Sequence, residues 1–315
     1  MEIRYELHEP DSVDLETVVT IGAYDGVHLG HRRVIAEVCR ISNELKAQSA
    51  VVTFDRHPAS VVRPESAPLL LTDLEQKLEQ LETTGVDVVQ VVTFDKERAD
   101  ESAEEFVVEV LVRSLATRTV IVGEDFHFGR SRQGNVDLLR RMGFENNFEV
   151  HALGLVGSDG SLARDHEQVS STFIRRALAV GDLSKANGML GRRYEVRGVV
   201  DHGDGRGKDL GFPTANVRVD SEILLPADGV YAALYRRPDG LEKLAAVSLG
   251  TRPHFYNDGA RLLEAHLLDT DADLYGEKAQ IQFASYLRPQ QKFDDLEDLI
   301  SQLHRDVENI RTIFL

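Results

Sequence analysis

The chain has 315 residues, 42% of them hydrophobic and 28% charged, the ordinary composition of a folded protein long enough for two domains with separate cores. A formal net charge of −17 repels DNA and RNA over long range, so no nucleic-acid partner is expected. The first ten residues carry neither the basic region nor the apolar core of a signal peptide, and no stretch approaches the roughly 18 apolar residues of a membrane span. A cytoplasmic location without membrane contact is therefore expected. The only cysteine, Cys39, falls among Val34, Ile35 and Val38 in a helical pattern and reads as a small core residue in a reducing compartment.

Taken in chain order, the first half alternates strands and helices. Glu16–Ile21 is a β-branched strand, followed by a helical pattern over His31–Leu45 and a strand at Ala50–Phe54. Thr72 is expected to cap a helix running to Leu81, and Val86–Thr93 returns as strand. Ser102-Ala-Glu-Glu105 has capping-box spacing and opens a helix through Leu115. Strands at Val120–Gly123 and Phe148–Leu153 enclose a helix at Val136–Met142. Such alternation argues for a parallel sheet covered by helices, with ligands at the carboxyl ends of its strands.

Near residue 190 the pattern changes. Helical segments Ser171–Val180 and Asp182–Leu190 end at Gly191, and strands follow at Tyr194–Val200, Val230–Tyr235, Leu244–Leu249, Leu262–Leu268 and Ala279–Phe283. Punctuated by Gly and Pro, they suit a small antiparallel barrel, with an amphipathic helix over Leu296–Ile310 packed on its outside.

Two segments concentrate chemistry. The first, Gly22-Ala-Tyr-Asp-Gly-Val-His28-Leu-Gly-His31, sits between a strand and a helix. Glycines at 22, 26 and 30 let backbone N–H groups approach a phosphate, and the helix N-terminus favours negative charge. His28 and His31, at i and i+3, can hydrogen-bond phosphate oxygens as charge builds during transfer. A metal pair would need a third ligand at sensible spacing, and none is evident. Val169-Ser-Ser-Thr-Phe-Ile-Arg175 adds hydroxyls at a helix start, Ser171 and Thr172 among them, and the fixed charge of Arg175. The second segment, His202-Gly-Asp-Gly-Arg-Gly-Lys208-Asp-Leu-Gly211-Phe-Pro-Thr-Ala-Asn216, is a glycine loop suited to close over phosphates, or a hairpin with a basic tip. Thr214 and Asn216, fixed by Pro213, offer the hydroxyl and carbonyl oxygens that Mg²⁺ accepts.

These segments, together with Val51-Val-Thr-Phe-Asp-Arg-His-Pro58, Ile121-Val-Gly-Glu-Asp-Phe-His-Phe-Gly129, Pro226-Ala-Asp-Gly-Val-Tyr231 and Leu262-Leu-Glu-Ala-His-Leu-Leu-Asp269, resemble in order the bacterial bifunctional riboflavin kinase/FAD synthetase family. The resemblance covers nearly the whole chain. It implies an α/β fold: a Rossmann-like nucleotidyltransferase domain over residues 1–185, acting as FMN adenylyltransferase, and a riboflavin kinase barrel with a terminal helix over 186–315. ATP is the implied co-substrate, Mg²⁺ the implied cofactor, and riboflavin and FMN the implied ligands; a weak homo-oligomer is left open. By the same resemblance, Gly22, Ala23, Tyr24, Asp25, Gly26, Gly30, Ser171 and Thr172 hold ATP in the first domain, His57, Asp125 and Phe128 contact the flavin nucleotide, and His28, His31 and Arg175 act on the phosphates. In the second domain Gly205, Gly207, Lys208, Gly211 and Pro213 hold ATP, Thr214 and Asn216 the metal, and Glu264 stands at the position of the base. The chain departs from the family at Gln168, where a cation is common, at Arg56, which offers compensating charge, and at His254. Transfer to another phosphorylated substrate, or a flavin-binding regulator with a decayed site, are the competing readings.

Overall fold

The computed structural model describes residues 1–7, 16–154, 169–202, 211–251 and 261–315. Gly205, Gly207 and Lys208 of the glycine loop, and the divergent Gln168 and His254, lie outside the described residues. The chain forms two compact units, Met1–Ser171 and Thr172–Leu315.

The first unit is built on strands β1 (Glu2–Arg4), β2 (Thr17–Ile21), β3 (Gln48–Phe54), β4 (Val88–Val92), β5 (Thr117–Gly123) and β6 (Glu149–Leu153). They pair in parallel in the order β1-β4-β3-β2-β5-β6. The helices are α1 (Leu29–Leu45), α2 (Pro58–Val62), α3 (Leu74–Glu82), α4 (Lys96–Asp100), α5 (Ala103–Phe106, continuing as a π-helix over Val107–Ser114) and α6 (Val136–Asn146). Strands β2 and β4 are buried along their whole length because helices cover both faces of a parallel sheet, which explains their unbroken apolar runs. On one face Val19, Val52 and Val120 pack with Phe106, Leu111 and Leu139; on the other Val51 and Val89 pack with Ile35, Leu78 and Leu81. Cys39 is partly buried against that second cluster, where burial pushes its thiol up. From β2 the chain steps one way to β3 and β4, then crosses back to β5 and β6. That reversal opens a crevice at the carboxyl ends of β2 and β5.

In this unit expectation and structure differ in the following respects. Thr72 is not the cap of α3: Asp73 is, with its carboxylate accepting from the Gln76 amide in a capping box, because Thr72 is committed to the loop after β2. The short elements β1, α2 and α4 carry too few periodic positions to stand out in the sequence. Ser102 does cap α5, but the helix widens to π geometry. Its Leu111 carbonyl accepts from the Thr117 hydroxyl, and the Leu115 carbonyl just beyond it from Thr17.

Helix α7 (Ser171–Ala179) spans the division, and α8 (Leu183–Leu190) ends on a left-handed Gly191. The second unit then closes a barrel from β7 (Tyr194–Asp201), β8 (Ala215–Val219), β9 (Gly229–Arg236), β10 (Glu242–Thr251), β11 (Arg261–Leu267) and β12 (Lys278–Arg288), in the order β10-β11-β8-β7-β12-β9. Strand β8 was not expected, because its five residues are too few to show an alternation of their own. Tyr231 stacks edge-on to Phe283 in the barrel core. Closure is tight at Gly198, where any Cβ would strike the Arg218 carbonyl on β8.

Helix α9 (Leu296–Ile313) covers the outside of the barrel, its Ile310 packed with Ala232 and Leu268. It is also tied to β12: Asp306, 2% exposed, accepts two hydrogen bonds from Arg288 at 3.0 and 2.7 Å and a third from Gln302. Removing one member of a buried pair strands the other, at a cost of about 3–5 kcal/mol. Asp306→Ala should therefore lower the denaturant midpoint of barrel unfolding strongly, whereas Asp269→Asn, at an exposed pair with Arg311, should leave it nearly unchanged.

Candidate active sites at the strand ends and on the barrel

The loop after β2 stands at the switch point of the sheet. Its backbone is left-handed at Tyr24 (φ 49°), Gly26 (φ 83°) and Val27 (φ 37°), a conformation that two non-glycine residues adopt only when their surroundings hold them. The buried Asp25 supplies much of that hold. Its carboxylate accepts from the amides of Leu71 (2.9 Å) and Thr72 (3.1 Å), while the Gly26 amide donates to the Thr72 hydroxyl at 3.1 Å. Tyr24 is buried, hydrogen-bonded to Thr20 at 2.7 Å, and burial drives its phenol far above the usual range. The carboxylate of Asp25 and the hydroxyl of Tyr24 thus serve the loop itself.

His28 caps α1. Its Nδ1 accepts from the His31 amide at 3.2 Å, which puts the neutral ring's proton on Nε2 and fixes the ring's orientation. The two imidazoles stack with centroids 3.5 Å apart and planes 16° from parallel, and Tyr24 meets His31 edge-on at 4.9 Å. Gly30 makes this possible, since a Cβ there would lie 3.2 Å from the His28 ring and 3.2 Å from the Val169 carbonyl. Gly22 continues the β2–β3 ladder through the Val52 carbonyl. Ser171 donates its hydroxyl to the Asp25 carbonyl at 2.9 Å, which brings that predicted residue to the loop. Thr172 and Arg175 follow in α7, Arg175 one turn along.

The neighbouring strand ends complete the crevice. After β3, His57 caps α2 through Nδ1, which accepts from the Ala59 amide at 3.1 Å, the same device as His28. Arg56 hydrogen-bonds Asp55 at 3.0 Å, so part of its charge is already met. Burial works to raise the Asp55 carboxyl, yet the Phe94 amide and Arg56 outweigh it and hold the group below its ordinary value. After β5, Asp125 is exposed, while Phe128 is 9% exposed and packs into the core beside Phe106. Phe126 stacks on Phe128 at 5.4 Å and 15° and is the more accessible ring of the two. The resemblance places the flavin contact across the segment Asp125–Phe128, and within it Phe126 is the accessible ring.

On the barrel, strand register assembles the second site. Leu263, Ala265 and Leu267 of β11 are buried inside, so Glu264 and His266 stand on the outer face. Glu264 is the cross-strand partner of Asn216 on β8 and of Ser248 on β10, and Asn216 in turn of Asp201 on β7. Two predicted residues 48 positions apart by number thus become neighbours. His266 hydrogen-bonds the Pro213 carbonyl at 2.8 Å, and Phe212 packs against both His266 and His304 of α9. Pro213 and the exposed Thr214 are thereby held at the start of β8, just after a left-handed Gly211 (φ 79°). Ser248, which accepts from Gln290 at 3.1 Å, belongs to this neighbourhood but carries no local motif, and His266 lies in the Leu262–Asp269 segment without having been singled out.

Residues 11–173 match the FAD synthetase family and residues 190–314 the riboflavin kinase family. A bifunctional riboflavin kinase/FMN adenylyltransferase of Listeria monocytogenes is 37% identical over 98% of this chain and 97% of its own, and one of Haemophilus influenzae is 36% identical over 100% and 99%. Among solved structures, a Streptococcus pneumoniae protein described as a macrolide-efflux protein superposes with a TM-score of 0.85 at 26% identity, covering 99% of both chains. Its description belongs to that protein, and the likeness adds the full-length fold. No helix among the described residues is long and apolar enough to cross a membrane. With both halves matched in order and the relatives matched end to end, the chain belongs to the family of bifunctional riboflavin kinase/FMN adenylyltransferases.

Proposed function

We propose that the barrel phosphorylates riboflavin to FMN with ATP and that the parallel-sheet unit adenylylates FMN to FAD, releasing pyrophosphate. The functional domains are assigned as residues 1–185 for adenylyl transfer and 186–315 for the kinase. The observation that carries the assignment is the contrast between the sites: one offers amides and imidazoles at a helix start, the other a carboxylate beside a hydroxyl–amide pair.

That contrast matches the two nucleophiles. The phosphate of FMN has a second pKa of about 6 and is already an anion near neutral pH. As its oxygen bonds to the α-phosphorus of ATP and the bond to the β-phosphate oxygen breaks, no proton has to be removed. Charge is what must be met, by the loop amides, by the proton on His28 Nε2, and by His31 and Arg175. Gly22, Ala23, Gly26, Gly30, Ser171 and Thr172 seat the ATP phosphates, with Tyr24 and Asp25 holding the loop's shape. His57, Asp125 and the Phe126–Phe128 stack receive the flavin nucleotide. In the barrel the nucleophile is an alcohol. Glu264 takes the proton of the ribityl 5′-hydroxyl as its oxygen bonds to the γ-phosphorus and ADP leaves.

Thr214 and Asn216 are hard oxygen donors, and among the described residues no group of three His, Cys, Asp or Glu forms a metal cage. Such a sparse set suits Mg²⁺ that arrives with ATP and keeps phosphate oxygens as its main ligands. Bound there, Mg²⁺ supplies Lewis-acid neutralisation of the transferring phosphoryl group. The −17 charge argues against a nucleic-acid partner, and a single, partly buried Cys39 suits the cytoplasm.

Purified full-length protein given riboflavin and Mg-ATP should form FMN, then FAD and pyrophosphate. Glu264→Gln should lower FMN formation by about 10²–10⁴-fold while FAD formation from supplied FMN persists. His31→Ala should do the reverse, with a loss of about 10²–10³-fold. Loss of both activities from either change in a folded protein would overturn the two-site assignment. Chelating divalent cations should stop kinase turnover, and adding back Mg²⁺ should restore it.

A further inference from the structure

Lys77, the fourth residue of α3, belongs to no motif, and nothing in the assignment above uses it. It is 7% exposed, and a buried ammonium is costly unless polar groups solvate it. Its Nζ donates to the Phe54 carbonyl at 2.7 Å and to the Ala23 carbonyl at 3.3 Å. Thr53 donates its hydroxyl to the same Ala23 oxygen at 3.2 Å. Phe54 ends β3, and Ala23 opens the glycine turn that follows β2. One side chain therefore joins the ends of both strands at the point where the turn becomes left-handed. Carbonyls solvate the ammonium without neutralising it. The charged groups facing it are Asp25 from the loop after β2 and Asp55 from the loop after β3. Asp25 is committed to the Leu71 and Thr72 amides, Asp55 to the Phe94 amide and Arg56.

We propose that Lys77 is a positioning residue for adenylyl transfer: by holding the Ala23 carbonyl it fixes the peptide plane whose other end, the Tyr24 amide, is aimed at the ATP phosphates, and its ammonium lends that turn positive charge within an acidic protein. The proposal rests on the glycine turn being the adenylylation site. Burial lowers the pKa of Lys77 to about 8, with Asp25 and Asp55 opposing the shift. Below that pH the side chain is charged and above it neutral, and a bound polyphosphate favours the charged form.

The test compares Lys77→Met, Lys77→Arg and His31→Ala in the full-length enzyme, with kinase turnover as the internal measure of folding. Lys77→Met should lose about 10–100-fold in kcat/KM for FMN adenylylation, the range for removing a supporting hydrogen bond, while kinase turnover stays within about twofold. Wild-type kcat/KM for adenylylation should fall as pH rises through about 8, because that quantity reports the free enzyme, and Lys77→Arg should remove the fall. Adenylylation by Lys77→Met within about twofold of wild type would overturn the proposal. So would a wild-type-like fall in Lys77→Arg, which can be read even if the Met variant fails to fold. If His31→Ala itself left adenylylation intact, the site assignment would fail; if only the Lys77 variants stayed active, the failure would be of this proposal alone.

Discussion

The buried carboxylate of Asp25, accepting the amides of Leu71 and Thr72, is the contact on which the first site depends. Tyr24 and Val27 are held in a left-handed backbone that costs about 1–3 kcal/mol per residue when unsupported. Asp25 between them, the Thr72 hydroxyl on Gly26 and Ser171 on the Asp25 carbonyl over-determine that shape. The strain has a use. The turn delivers the chain to α1 at His28, with the His31 amide closed by an imidazole already oriented by that same bond. Loop, cap and histidine stack are consequences of one arrangement, so a change at Asp25 reaches the histidines without touching them.

Charge is the second constraint. A protein of net charge −17 must receive two molecules of ATP and a flavin phosphate, and the long-range field opposes all three. The remedy is local. Backbone dipoles at the α1 start point partial positive charge toward the loop, and they do so without side chains that could pair with the many surface carboxylates. Many of the arginines of the described residues are occupied in such pairs, Arg40 with Glu37 and Glu44 for example. Lys77, by contrast, is buried and donates to the Phe54 and Ala23 carbonyls rather than to a surface carboxylate.

The barrel solves a different problem by different means. The proposed base and metal ligand are brought together by register: a strand has period two, so Glu264 can face outward between buried Leu263 and Ala265 and lie beside Asn216 on the next strand. A slip of one residue would turn Glu264 into the core. Register is pinned by the closed sheet, by Gly198 at the tight β7–β8 approach, and by α9, anchored through Asp306 and Arg288. The base is therefore only as well placed as the barrel is stable.

How much of this was legible in the residues alone follows from how local each interaction is. The buried strands, the Ser102 capping box, the left-handed Gly191 and the terminal helix are short-range features, and they appear where periodicity and capping chemistry put them. The ordered motifs likewise carried the family, since each is a contiguous string. Strand β8 was missed because it is short, and the cap of α3 because Thr72 is drawn off by a partner 46 residues away. Lys77, Ser248 and the inward commitment of Asp25 share that reason: Lys77 meets Ala23 across 54 residues, and Ser171 meets Asp25 across 146. Sequence by itself determined which backbone segments form and which chemistry they carry. The tertiary structure decided which side chains face a ligand and which hold the loop, because hydrogen bonds between distant segments leave no periodic or contiguous trace in either partner.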